Sequence, residues 1–122
     1  RDYWKSFADD ILQRFALSKN KIIFEIGSND GYLLSLLKND YEVMGIDASP
    51  TMCKIAQSLG IDSINTIFDR KTAKQIRLTN GQADVILANN VVNHSEDPVD
   101  FTRGVWDLLS EDGWFIFEVP YF

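Results

Sequence analysis

The sequence contains one cysteine, Cys53, and one histidine, His94. A single cysteine excludes an internal disulfide framework and a multi-cysteine zinc site, so we expect no metal centre. The same scarcity fits a reducing compartment, and a cytoplasmic location is the default expectation. Cys53 lies one turn into a segment with helical spacing of apolar residues, which predicts a packing role.

Blocks of basic residues and long apolar runs are also missing. Lys and Arg number 12 against 18 Asp and Glu, giving a net charge of −6, and no basic cluster is present to neutralise phosphates. No apolar run approaches the roughly 20 residues of a membrane span, and the first ten residues lack a signal-peptide core. We therefore expect a small-molecule partner, with neither nucleic acid nor membrane.

What the sequence does contain predicts one α/β domain over residues 1–122. The chain is 122 residues long and 45% hydrophobic, which suffices for a single core. Helical spacing predicts a first helix over residues 3–17. Five apolar runs then alternate with helices: KIIFEIG, YEVMGID, IDSINTI, ADVILANN and WFIFEVP. Their continuous apolarity is typical of parallel strands covered on both faces, so we predict a doubly wound parallel sheet.

Two of the helices have clear start and stop signals. Ser49 is the predicted N-cap of one helix, Pro50 its first residue and Gly60 its end. The same signals predict a later helix with Asp97 as its cap and Gly113 as its exit. The chain starts without methionine and stops directly after the fifth predicted strand, so we expect part of a longer protein.

The segment EIGSNDGYLL, residues 25–34, follows the first predicted strand. In an open α/β sheet this turn is where ligands bind. Gly27 and Gly31 let the backbone turn sharply and approach a ligand, and the helix starting near Gly31 offers N–H groups to an anionic end. Asn29 tolerates the left-handed region and can replace a central glycine. Glu25 suits a cationic ligand group.

The dinucleotide fingerprint G-x-G-x-x-G does not fit this loop, because Tyr32 stands where its third glycine would be. The pattern E-x-G-x-N-x-G instead resembles motif I of class I S-adenosylmethionine-dependent methyltransferases. Asp47 ends the second predicted strand 22 residues after Glu25, where an acid can accept hydrogen bonds from both ribose hydroxyls of that cofactor. A plain glycine turn with two surface acids is the structural alternative.

Four further residues are predicted to contact the cofactor because of their places in the sequence. Ser28 and Ala48 adjoin the loop and the acid, and Ile67 and Phe68 follow the third strand, where the adenine is expected. Core packing of Phe68 is an equally good explanation of that residue.

The fourth strand ends in Asn89 and Asn90, followed by a polar loop that contains His94. In a methyltransferase this loop borders the methionine end of the cofactor. His94 is a candidate general base or substrate-orienting group. Alternatively, it stabilises its own loop beside Glu96 and Asp97.

Four segments together resemble the deoxysugar C-methyltransferases, which methylate C-3 of nucleotide-linked keto-sugars: EIGSNDGYLL, GIDASP, ADVILANNVVNHSEDPVDFTRGV and GWFIFEVPYF. The resemblance implies a truncated Rossmann-like domain with strand order 3-2-1-4-5, central in a longer protein. It matches His94 and Tyr121 to active-site residues of that family. A histidine-rich segment thought to supply the base follows the last strand in the family, beyond Phe122.

We therefore predict S-adenosylmethionine-dependent methyl transfer to a small molecule, with C-methylation of a nucleotide-linked keto-sugar as the more specific expectation. The isolated chain is expected to turn over poorly. A non-catalytic cofactor-binding module is one alternative, and an NAD-dependent oxidoreductase, disfavoured by Tyr32, is another. An unpaired fifth strand would leave an exposed sheet edge, and our hypothesis is that either a homodimer through that edge or a missing partner segment covers it.

Overall fold

The computed structural model describes residues 2–15, 20–89 and 97–118. Within these ranges helices and strands alternate from the second element onward. The elements are α1 (Asp2–Phe15), β1 (Ile22–Ile26), α2 (Tyr32–Leu37), β2 (Glu42–Asp47), α3 (Pro50–Ser58), β3 (Asp62–Asn65), α4 (Arg70–Asn80), β4 (Ala83–Asn89), α5 (Pro98–Leu108) and β5 (Leu109–Glu118).

The strands of the described residues form one sheet in the order β3-β2-β1-β4-β5. Every neighbouring pair is parallel. The chain therefore builds outward from β1 to β3 and then returns to the other side of β1, which creates a topological switch point between β1 and β4. The predicted fold class and strand order are confirmed.

Two apolar cores cover the two faces of this sheet, which is why the central strands are apolar without alternation. One face packs residues of α4 and α5 against alternate strand residues such as Phe24 and Ile86. The other face packs residues of α1, α2 and α3 against Ile23 and Val85. Cys53 is a buried residue of α3 and is 3% exposed. The predicted packing role of the single cysteine is confirmed.

The predicted helix starts are confirmed at atomic detail. The Ser49 side chain accepts the N–H of Met52 at 3.2 Å, and Pro50 is the first residue of α3. The Asp97 carboxylate accepts the N–H of Asp100 at 3.1 Å at the start of α5. Each cap satisfies an N–H that has no partner within the helix.

Two element boundaries differ from the sequence prediction, while the predicted end of the first helix at residue 17 lies outside the described residues. Strand β3 stops at Asn65, and Asp69 then starts α4 with a capping box. Helix α5 ends at Leu108, so Gly113 is not the helix exit but a residue of β5. A side chain at Gly113 would meet Leu109 Cδ2 at 2.7 Å. The Ser110 and Asp84 carbonyl oxygens would lie 3.0 and 3.2 Å from the added Cβ, so close packing with the backbone favours glycine there.

Candidate functional site

The carboxyl ends of β1, β2 and β4 meet at one edge of the sheet. Ile26 is level with Ile46 on one side and with Ala88 on the other. The residues that follow these three are Gly27, Asp47 and Asn89. The predicted loop, the predicted acid and the end of the fourth strand are thus brought together at the switch point.

The loop after β1 has three residues with positive φ. Gly27, Asn29 and Gly31 have φ of 73°, 52° and 77°. The prediction that Asn29 takes the left-handed conformation in place of a glycine is confirmed. This alternation folds the loop back over β2, where the N–H groups of Gly27 and Ser28 donate to the Ile46 carbonyl at 2.7 and 3.3 Å.

The Asp47 carboxylate joins this loop to the start of α3. Its Oδ2 accepts the N–H of Asn29 at 2.9 Å, and its Oδ1 accepts the N–H of Ser49 at 2.8 Å. The residue is 9% exposed. A carboxylate has about four lone-pair sites, so each oxygen can accept one further hydrogen bond from a ligand.

The backbone carbonyl of Asp47 is held as firmly as its side chain. The Asn65 Nδ2 and the Thr66 N–H each donate to it at 3.0 Å, and the Cys53 thiol donates at 3.5 Å. Sequence reasoning missed Asn65. Its only signal was its place at the end of β3, level with Asp47 in the sheet.

Glu25 and Ser28 are buried beneath the loop, each 4% exposed. Glu25, Gly45 and Ser63 are level with one another on β1, β2 and β3. Gly45 leaves room for the Ser28 side chain, whose Cβ lies 2.8 Å from where a Gly45 Cβ would be. The hydroxyls of Ser28 and Ser63 have no hydrogen-bond partner among the described residues.

The start of α2 uses two of its N–H groups internally. The Gly31 N–H donates to the Ser28 carbonyl at 3.0 Å, and the Tyr32 N–H donates to the Asp30 carboxylate at 3.1 Å. Helix α2 is only six residues long. We expected the start of this helix to offer its N–H groups to an anionic ligand, but these two N–H groups already donate within the protein.

Of the residues predicted to border the adenine, two are exposed to solvent and one packs against a helix. Ala48 is exposed, and Ile67 is 72% exposed. Phe68 packs edge-on against Phe101 of α5, with ring centroids 5.3 Å apart. Of the two explanations left open for Phe68, core packing accounts for its observed contacts.

The remaining predicted site residues lie at or beyond the limit of description. Asn89 is described in its backbone, which is level with Glu118 of β5. Asn90, His94 and Tyr121 lie outside the described residues.

This edge of the sheet carries the carboxylates of Glu25, Asp30 and Asp47. Within residues 2–15, 20–89 and 97–118 no cluster of three or more His, Cys, Asp or Glu side chains has a geometry that could hold a metal ion. Hydrogen-bond acceptors and negative charge thus dominate the site, which suits a ligand with hydroxyl groups and positive charge.

In the described part, no helix is both long enough and apolar enough to cross a membrane.

Comparison with protein families gives a match over most of the chain. The model of the methyltransferase domain family matches residues 24–115, from β1 to β5. Among known proteins, the C-methyltransferase NovU of Streptomyces niveus is 28% identical over 120 residues, which are 98% of this chain and 29% of NovU. An uncharacterised methyltransferase of Schizosaccharomyces pombe is 27% identical over 96% of this chain and 51% of its own length. The chain thus spans at most about half the length of these relatives.

Solved structures share the fold. A TehB-like S-adenosylmethionine-dependent methyltransferase from Corynebacterium glutamicum superposes with a TM-score of 0.73 at 14% identity, over 93% of this chain and 60% of that protein. The plantazolicin methyltransferase BpumL in complex with S-adenosylhomocysteine gives a TM-score of 0.65 at 22% identity, over 88% of this chain and 41% of that protein.

Proposed function

The chain belongs to the methyltransferase domain family, and from this premise we propose that it holds S-adenosylmethionine at the carboxyl edge of its sheet for methyl transfer to a small molecule. The observation that carries the proposal is the Asp47 carboxylate. It is fixed by N–H groups from both sides, at 2.9 and 2.8 Å, and keeps one acceptor position on each oxygen. The two hydroxyls of a ribose fit those positions.

The loop after β1 also fits this cofactor. Gly27 places backbone without a side chain at the switch point, so a ligand can approach the chain closely, whereas the missing side chain of Gly31 leaves room for Ala56. Glu25 is buried beside this loop and suits the cationic methionine end. Asn29 is exposed and Asp30 is half-buried in the same loop. Ala48 and Ile67 are exposed at the ends of β2 and β3, and they suit contact with the adenine.

When bound, the cofactor supplies an electrophilic methyl carbon on a sulfonium. The protein contributes alignment of the acceptor with that carbon and removal of a proton from the acceptor. In the methyltransferases that this chain resembles, the loop after the fourth strand borders the methionine end of the cofactor, which supports Asn89 and Asn90 as part of the site and His94 and Tyr121 as acceptor-facing groups. This assignment rests on their places in the sequence and on the resemblance to deoxysugar C-methyltransferases.

We propose that the acceptor is a nucleotide-linked keto-sugar, methylated at carbon. NovU is a C-methyltransferase, and its similarity extends over 98% of this chain. A base removes the proton next to the ketone, the resulting enolate carbon forms the new bond to the methyl group, and the carbon–sulfur bond breaks.

The acceptor assignment is tested with the full protein that contains this domain. We would incubate it with S-adenosylmethionine and a nucleotide-linked 4-keto sugar, and identify the methylated atom by carbon NMR. The proposal predicts a new carbon–carbon bond, together with deuterium exchange next to the ketone in heavy water. Methylation at oxygen alone, or exchange without any methyl transfer, would contradict it.

The chain alone is proposed to bind the cofactor while transferring the methyl group poorly. The supporting observation is that it spans only 29% of NovU. Binding of S-adenosylhomocysteine without turnover by the 122-residue chain is the expected result. Turnover equal to that of the full protein would contradict it.

We also propose that the chain associates with a second copy through β5. Among the described residues β5 is paired on one side only, with β4. Trp114 and Phe117 on this strand are 56% and 53% exposed. An edge strand with exposed aromatic residues favours pairing with another strand. Light scattering over a range of concentrations is expected to show a dimer, and a monomer throughout would contradict this.

A further inference from the structure

The carbonyl oxygen of Asp47 accepts two side-chain hydrogen bonds in addition to the one that the sheet supplies, and the weaker of them comes from the Cys53 thiol at 3.5 Å. The Thr66 N–H, at 3.0 Å, continues the parallel ladder between β2 and β3. The Asn65 side chain adds a second donor at 3.0 Å, supplied by a residue level with Asp47 on the neighbouring strand. The two N–H donors match the two lone pairs of the carbonyl, and the Cys53 thiol is a longer and weaker third contact at 3.5 Å.

We propose that Asn65 is a positioning residue for cofactor binding, acting through Asp47; this inference rests on the proposed role of Asp47 as the ribose acceptor. The carbonyl and the carboxylate of Asp47 are attached to the same Cα. A carbonyl fixed from two directions resists rotation of the last peptide of β2. The Asp47 side chain therefore leaves the backbone in a fixed direction.

The direction of that side chain decides whether the carboxylate can serve both the protein and a ligand. The N–H groups of Asn29 and Ser49 donate to different oxygens of the carboxylate, at 2.9 and 2.8 Å. A small rotation would strengthen one of these bonds at the expense of the other and turn the remaining lone pairs away from the ribose. Asn65 thus acts at a distance from the ligand, by limiting this rotation.

Asn65 is itself exposed, so its replacement removes one hydrogen bond without opening a cavity. Asn39 is also exposed and offers a matched control, because it lies in the turn after α2, away from the carboxyl edge. The test compares Asn65→Ala with Asn39→Ala, and Asn65→Ser serves as a second variant.

The ligands are S-adenosylhomocysteine and its 2′-deoxy analogue, which lacks one ribose hydroxyl. Calorimetry gives the affinity of each for wild type, Asn65→Ala, Asp47→Ala and the double variant. We expect Asn65→Ala to weaken S-adenosylhomocysteine roughly three- to tenfold, as for one net hydrogen bond, and to reduce the preference for the ribose over the deoxyribose ligand. The double variant should bind no more weakly than Asp47→Ala.

Three results would overturn this inference alone: unchanged affinity in Asn65→Ala while Asp47→Ala is weakened, weakened affinity with the ribose preference intact, or strict additivity in the double variant. Unchanged affinity in Asp47→Ala would instead refute the proposed role of Asp47 itself. The two failures are therefore distinguishable. The thermal midpoint without ligand should be similar in Asn65→Ala and Asn39→Ala.

Discussion

The Asn29 N–H donates a 2.9 Å hydrogen bond to the carboxylate of Asp47, a residue 18 positions later in the chain. This bond joins the loop after β1 to the end of β2. Asn29 also has the left-handed conformation, with φ of 52°, so the same residue turns the loop and holds the acid. The conformation of the loop and the orientation of the Asp47 carboxylate therefore depend on each other, and a change in either should affect ligand binding.

Gly31 is predicted to be intolerant of any side chain. Its φ is 77°, and an added Cβ would lie 3.0 Å from Ala56 Cβ and 3.4 Å from Ala56 Cα. Gly31→Ala should therefore cost about 1–2 kcal/mol in backbone strain and about 1–3 kcal/mol more in overpacking. Denaturant unfolding measures the total.

Gly60→Ala is the matched control for this substitution. Gly60 has φ of 79°, but an added Cβ would meet only the flexible tip of Lys38, at 3.3 Å. We expect the backbone strain without the overpacking. Equal losses of unfolding free energy in the two variants would show that the contact between Gly31 and Ala56 does not matter.

Gly45 is predicted to let the loop after β1 pack closely against β2, because it has no side chain. A Cβ at Gly45 would collide with the Ser28 hydroxyl and lie 2.8 Å from Ser28 Cβ. Gly45→Ala should destabilise the protein by roughly 1–3 kcal/mol and weaken cofactor binding by displacing the loop. Chemical denaturation and calorimetry measure the two effects.

A second substitution tests the cause of this effect. Ser28→Gly removes both atoms that a Gly45 Cβ would meet most closely, so the Gly45→Ala, Ser28→Gly double variant should recover part of the lost stability. The Ser28 hydroxyl has no hydrogen-bond partner among the described residues, so its removal breaks no bond within them. No recovery of stability would therefore mean that the Gly45→Ala side chain collides with another group.

Tyr41 is predicted to make the fold sensitive to alkali. Burial, and secondarily the Asp40 carboxylate, raise the pKa of Tyr41 above its ordinary value of 10.0. The folded state thus keeps the phenol proton at pH values where the unfolded state has lost it. The free energy of unfolding should therefore fall as the pH rises above 10.0 and through the raised pKa.

Tyr41→Phe removes this titration and should flatten the decline. Denaturant unfolding at several alkaline pH values compares the variant with wild type. Parallel curves for the two proteins would show that Tyr41 does not contribute to the loss.

Much of the fold was predictable because local signals and topology agree. The caps at Ser49 and Asp97 and the glycine conformations were visible as residue types in fixed places. The identification of a class I S-adenosylmethionine-dependent methyltransferase domain from the loop and Asp47 is confirmed by the family match to residues 24–115.

Other features could not be predicted, because they depend on contacts between distant segments. Strand β5 starts at Leu109, which is level with Ala83, and resumes its register at Trp114, so residues 110–113 form an irregular stretch opposite β4. The residues SEDG, 110–113, are polar and end in glycine, which is typical of a helix end, and Gly113 was therefore predicted as the helix exit. Similarly, only the pairing of β3 with β2 brings Asn65 to the Asp47 carbonyl.

The most direct test of the account is a calorimetric titration of S-adenosylhomocysteine into wild type, Asp47→Ala and the control Asp62→Ala. Asp62 is an exposed acid at the start of β3. We expect wild type and Asp62→Ala to bind equally, and Asp47→Ala to bind more weakly by roughly 1–3 kcal/mol, because the ribose hydroxyls lose a charged acceptor. No binding by wild type at millimolar ligand, or equal affinity in Asp47→Ala, would contradict the account.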